Sequence, residues 1–113
     1  MNSPSDYSDD ELNVVKQTLK ERYGKEIDVL LADTELRLDP VAQTLTTCPA
    51  LYWQQQQCHF VISKIKQQHY HAQFYYKGSE QFGTGIQQYD DLFNCVVTLL
   101  QVQADHELAQ QDL

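Results

Sequence analysis

Six side chains carry the chemistry of metal ligands or nucleophiles: Cys48, Cys58, His59, His69, His71 and Cys95. A zinc ion takes about four thiolate or imidazole ligands arranged as a tetrahedron, usually delivered as close pairs such as C-x-x-C. Cys58 and His59 are adjacent, and neighbours on a strand point to opposite faces. His69 and His71 share a face, but Cys58 lies several strand positions from His71. The spacing therefore offers a pair of ligands and no quartet, and no metal or other cofactor is expected. A nucleophilic site would set Cys58 beside His69 or His71 as base, with an acid to orient the imidazole. No nucleophile elbow or cysteine-enzyme signature surrounds any of the three thiols. Asp90-Asp91 sits where a helix begins and reads as helix-start chemistry rather than an acid–base pair. Gly83-Thr84-Gly85 lacks the length and the Lys-Ser/Thr ending of a phosphate loop, so it reads as a tight turn. The expectation is a protein that is not an enzyme.

Charge narrows the partners. Sixteen acids against eight bases give the 113-residue chain a net charge of −8. Residues 1–39 carry −5, residues 40–79 carry +3 with no acid at all, and residues 80–113 carry −6 with no base. Nucleic-acid binding usually begins with a basic patch, so a chain this acidic disfavours it. No apolar run approaches the ~20 residues of a membrane span. An odd number of cysteines, with no basic-then-apolar leader in the first 30 residues, predicts free thiols and a cytoplasmic setting.

The elements that must position these residues are partly well marked. Ser8 and Glu11 form a capping box, with Tyr7 and Leu12 in the flanking staple positions. Leu12, Val15, Leu19 and Tyr23 then make one apolar stripe, and Gly24 is a left-handed stop, which predicts a helix over 9–23. Residues 1–7 read as a flexible tail, and 8–113 as one domain. Alternating apolar residues at 27–31 and 36–38 predict a hairpin turning at Asp33-Thr34. Asp39-Pro40 opens a short helical turn over 40–45, broken by Cys48-Pro49. A three-strand meander follows at 50–54, 58–66 and 69–77, with turns centred on Gln55-Gln56 and Gln67-Gln68. Gly78 to Gly85 is a loop pinned by Phe82, and a second helix is expected over 90–108.

The predicted fold class is α+β: a single domain with an antiparallel sheet, built from a hairpin plus a three-strand meander, and N- and C-terminal helices packed on one face. From Phe60 to Leu100 the order strand, strand, short Gly-flanked strand (Phe82-Gly83-Thr84-Gly85-Ile86), helix resembles that of HicB-type antitoxins and, more loosely, double-stranded-RNA-binding domains. The resemblance implies an antiparallel sheet backed by a helix.

With straight ladders, one sheet face carries Ala50, Tyr52, His59, Val61, Ser63, Ile65, Tyr70, Ala72, Phe74 and Tyr76, and reads as the core. The other carries Leu51, Trp53, Cys58, Phe60, Ile62, Lys64, His71, Gln73 and Tyr75. That second face is unusually aromatic for one turned to water. Leu51, Trp53, Phe60, Ile62, His71 and Tyr75 are therefore the candidate partner-binding residues. The function they suggest is that of a small acidic, non-catalytic protein acting through protein–protein contacts, as a regulator, inhibitor or assembly factor, with a protein partner or self-association as a homodimer. The alternative is a nucleic-acid or small-ligand module using the aromatic face of the meander, with Lys64, Lys66 and Lys77 beside it.

Overall fold

The computed structural model describes residues 6–36, 45–76 and 81–111. Helix α1 (Asp9–Tyr23) is followed by strands β1 (Leu30–Leu36), β2 (Thr46–Gln55), β3 (Cys58–Lys66), β4 (His69–Tyr75) and β5 (Phe82–Gly83), then helix α2 (Leu92–Gln111). The five strands lie in chain order in one antiparallel sheet. Both helices pack on the same face of it, so the expected α+β class holds.

Helix α1 forms where its caps require. Ser8 N–H donates to Glu11 Oε1 at 2.7 Å, and Glu11 N–H donates to Ser8 Oγ at 3.2 Å. Gly24 takes φ 73° and returns its N–H to Lys20, closing the helix. Tyr7, expected in the tail, is instead buried, and its hydroxyl donates to the Ile62 carbonyl at 2.7 Å. Helix α2 starts at Leu92 because Asp91 caps it, its carboxylate accepting from Asn94 N–H at 2.9 Å. Leu92, Cys95, Val96, Leu99 and Leu100 face the core, whereas Phe93 is 57% exposed.

The hairpin expected at Asp33-Thr34 does not form. Strand β1 runs straight through those residues and pairs along its length with Thr46–Tyr52 of β2. Asp-Thr is a poor two-residue turn, and the longer partner strand offers more ladder. Strand β2 also runs through Cys48-Pro49, where a break was expected. Its pairing with β3 begins only at Ala50, so at Pro49 it is locally an edge, where a missing N–H is tolerated. The short turn expected over 40–45 falls almost wholly outside the described residues. The β2–β3 turn is Gln56-Gln57, one residue later than expected, and the β3–β4 turn is Gln67-Gln68 as expected.

The decisive irregularity is in β3. Lys66 pairs with His69, but Lys64, not Ile65, pairs with Tyr70. Ile65 is an extra residue, a β-bulge, and it shifts every later pair by one. Because side chains alternate with period two, the shift exchanges the two faces of β4 relative to β3. The helix-facing side therefore collects Leu51, Trp53, Phe60, Ile62 and Lys64 together with Tyr70, Ala72 and Phe74. Trp53, Phe60, Phe74 and Phe82 line up as one cross-strand row, with successive centroids 5.1, 6.4 and 5.4 Å apart.

Lys64 is only 2% exposed, so its ammonium must be matched. Its Nζ donates to Glu11 Oε1 at 2.9 Å and to the Asp6 carbonyl at 3.0 Å. The Tyr70 hydroxyl donates to the other oxygen of Glu11. Burial by itself would raise the Glu11 pKa; the hydrogen bonds from Tyr70, Lys64 and Ser8 outweigh it and hold the carboxyl below its ordinary value. Its contribution to stability is therefore complete above about pH 4.5 and is lost as the pH falls through the lowered folded value. Glu11→Gln is expected to lower stability at pH 7 by about 3 kcal/mol, the lower end for breaking a buried pair, and to flatten the acid limb of a urea-denaturation series between pH 6 and 3.

Candidate functional site

The structure divides the six candidate partner-binding residues. Leu51, Trp53, Phe60 and Ile62 are at most 1% exposed, sealed between the sheet and the helices. They are core residues and cannot meet a partner in the folded chain. Two causes combine: the helices cover the face that looked solvent-exposed, and the bulge at Ile65 sends His71 and Tyr75 to the opposite side. His71 and Tyr75 remain half-buried on that outer face.

The outer face is built by alternate residues of β1 to β4. Tyr52, His59 and Tyr75 form a stacked file across three strands. The Tyr52 and His59 rings lie 5.8 Å apart at 21°, and the His59 and Tyr75 rings 4.7 Å apart at 12°. The register explains the file. His59 is directly opposite Tyr75, while Tyr52 is its diagonal neighbour, within reach for aromatic side chains. The Tyr52 hydroxyl and His59 Nδ1 are 2.5 Å apart, which fixes both rings. Burial, and then the neighbouring Tyr75, raise the Tyr52 phenol pKa, so its hydroxyl is un-ionised near pH 7. Tyr52 and His59 belonged to the face read from sequence as core. The signal that marks them is their polarity: a Tyr, a His and a Tyr with reachable polar tips suit a half-wet surface better than a dry core.

Elsewhere on this face Cys48, Ala50, Val61 and Ser63 are buried, and Leu30 is 57% exposed. Thr34 and Ser63 hydroxyls meet at 2.8 Å across the buried Ala50, whose own partners are Ala32 and Ser63. His71 Nδ1 lies 3.1 Å from the Gln87 carbonyl, and His69 Nδ1 lies 3.0 Å from the Gln67 carbonyl. No Asp or Glu among the described residues projects from this face; Lys66 stands at its rim.

The thiols were the other chemical candidates. Cys48, Cys58 and Cys95 are free and buried. Burial pushes the Cys58 thiol up to about 12, and the Cys95 thiol likewise to about 12. Cys58 sits at a shallow polar cleft of about 420 Å³ with Tyr76, Gln103 and Glu107, but a thiol held so far from ionisation is a poor nucleophile at neutral pH. His106 is packed against Phe82 with ring centroids 4.4 Å apart and stacked on Tyr76 at 5.6 Å. Among the described residues no three His, Cys, Asp or Glu side chains converge as metal ligands, and no helix is long and apolar enough to cross a membrane.

Comparison with protein families, characterised proteins and solved structures finds no match to this chain.

The division of the aromatic residues has a direct consequence for stability. Trp53→Ala is expected to cost about 3–5 kcal/mol, as for a fully buried aromatic. Tyr75→Ala should cost about 1 kcal/mol, mostly the lost stack on His59. Chemical denaturation followed by far-ultraviolet circular dichroism measures both.

Proposed function

We propose that this is a non-catalytic protein that works by docking the outer face of its sheet onto another protein, as a regulator, inhibitor or assembly factor. The carrying observation is the Tyr52–His59–Tyr75 file, held in fixed geometry on a face bearing no described acid in a chain of net charge −8. A solvated sheet face ordinarily alternates to charged and small polar residues. Tyrosines that stay partly in water with their rings already held by neighbours are typical interface anchors, because little side-chain entropy is lost on docking.

A protein partner suits this surface better than a nucleic acid. Stacking platforms for single strands work together with a positive groove; Lys64 is buried, Lys77 lies outside the described residues, and among the described residues Lys66 alone borders this face. A catalytic role is not favoured by thiols pushed up to about 12. The three unpaired thiols fit a reducing compartment such as the cytoplasm.

The test is a double variant, Tyr52→Ala with Tyr75→Ala, compared with the natural chain in affinity capture followed by mass spectrometry. The expected result is one protein enriched by the natural chain and lost with the variant, while the melting temperature of the variant stays within a few degrees. Capture that ignores the variant overturns the reading. So does a labelled single-stranded oligonucleotide whose anisotropy rises at low salt with the natural chain and not with the variant.

A further inference from the structure

Strand β1 is one edge of the five-strand sheet, and among the described residues nothing pairs with its outer side. Natural edges of this length are usually shortened, covered or bulged. Here seven consecutive residues run regularly against β2, with Leu30 57% and Leu31 61% exposed. Along its outer side every second N–H and C=O has no strand partner among the described residues.

The two rows of β1 side chains differ in chemistry. Leu30, Ala32 and Thr34 register with Tyr52, Ala50 and Cys48, and so continue the neutral outer face. Asp33 and Glu35 register with Pro49 and Thr47, on the helix side, and both are exposed. A strand laid against this edge would meet aliphatic side chains and a hydroxyl on one face, and Leu31 followed by two carboxylates on the other. Directly opposed charges on neighbouring strands attract or repel at about 5 Å.

We infer that β1 accepts an extended segment of the partner protein as a sixth strand, and that this segment alternates basic with aliphatic residues. The inference rests on the protein-docking reading above and names where the main chain of that partner is held. The bases face Asp33 and Glu35, and the aliphatic side chains extend the outer face beyond Leu30 and Ala32. A second copy of this chain is the poorer occupant. Full two-fold overlap of β1 with itself sets Asp33 against its own counterpart, between chains that each carry −8.

Hydrogen exchange read by mass spectrometry on the full chain tests this with three synthetic heptapeptides at low salt. The first alternates Lys or Arg with Val, the second replaces the bases by Glu, and the third is the first with N-methyl groups on alternate residues. The basic peptide at saturation is expected to slow exchange in residues 30–36 at least about tenfold, with no effect from the other two. The variant Asp33→Lys with Glu35→Lys should reverse the preference towards the acidic peptide. No protection by the basic peptide overturns the inference, and so does equal protection by its N-methylated form, which would mean charge attraction without strand pairing. Protection of 30–36 in the peptide-free chain, together with a dimer in light scattering, assigns the edge to a second copy and also overturns it. The peptide outcomes are independent of the Tyr52 and Tyr75 capture result, so the edge can fail while the docking reading stands.

Discussion

A buried ammonium sets the layout of this protein. Lys64 is on the central strand, all but out of water, and its counter-charge comes from Glu11, 53 residues earlier in the chain. Taking either ion from water costs several kcal/mol, so the pair forms only where geometry and extra hydrogen bonds are good. That requirement places α1. Its first turn must lie over β3 with the Asp6 carbonyl on the same ammonium, and Tyr7 then reaches the Ile62 carbonyl and stacks on Tyr70 at 6.2 Å. The bulge belongs to the same constraint. Only because Ile65 is extra does Tyr70 stand opposite Lys64 on the helix side, where its hydroxyl takes the second oxygen of Glu11. An apolar pair would hold the layers together about as well. What the ions add is a penalty on alternatives, since a one-residue slip of β3 would bury a charge with no partner.

How much of this was legible follows from the range of each interaction. Helix α1 was readable to its ends because its signals are local: Ser8, Glu11 and Gly24 act within one turn. The start of α2 was misplaced by two residues, since Asp90 and Asp91 are equally good caps by type and only the geometry selects Asp91. Strand β1 was misread as half a hairpin because alternation at 27–31 and 36–38 is satisfied by either a local turn or a distant strand. The choice depended on a partner 10 to 22 residues further along the chain. The extended β2 was obscured by Pro49, whose tolerance depends on where the β3 ladder begins.

The faces of the sheet show a subtler limit. Phe60 and Ile62 are the more apolar set of β3, and Tyr70, Ala72 and Phe74 the more apolar set of β4. A straight ladder puts these sets on opposite faces, so one has to be given to water. The reading from sequence kept the ladder straight and left Trp53 and Phe60 outside. The chain keeps both sets inside and breaks the ladder at Ile65 instead. Burying two or three large aromatics is worth about 2 kcal/mol or more each, against one lost ladder step of roughly 1 kcal/mol, so the bulge wins. When two strands of a hairpin have their strongest apolar sets in opposite phase, that conflict itself signals an extra residue between them.

The same exchange decides what is left for function. Once the bulge draws Trp53, Phe60 and Phe74 into one row under the helices, the outer face keeps the residues that are aromatic and polar at once: Tyr52, His59 and Tyr75. These are poor core residues, since each polar tip would need a buried partner, and they are not the charged residues that maximise solubility either. Among the described residues the acids lie in or beside the helices, in the connection over 24–29 and on the helix-side row of β1, and none projects from the outer face. A surface chosen only for solubility would not separate its charges from its aromatics in this way. That separation is what supports the docking reading proposed for the outer face.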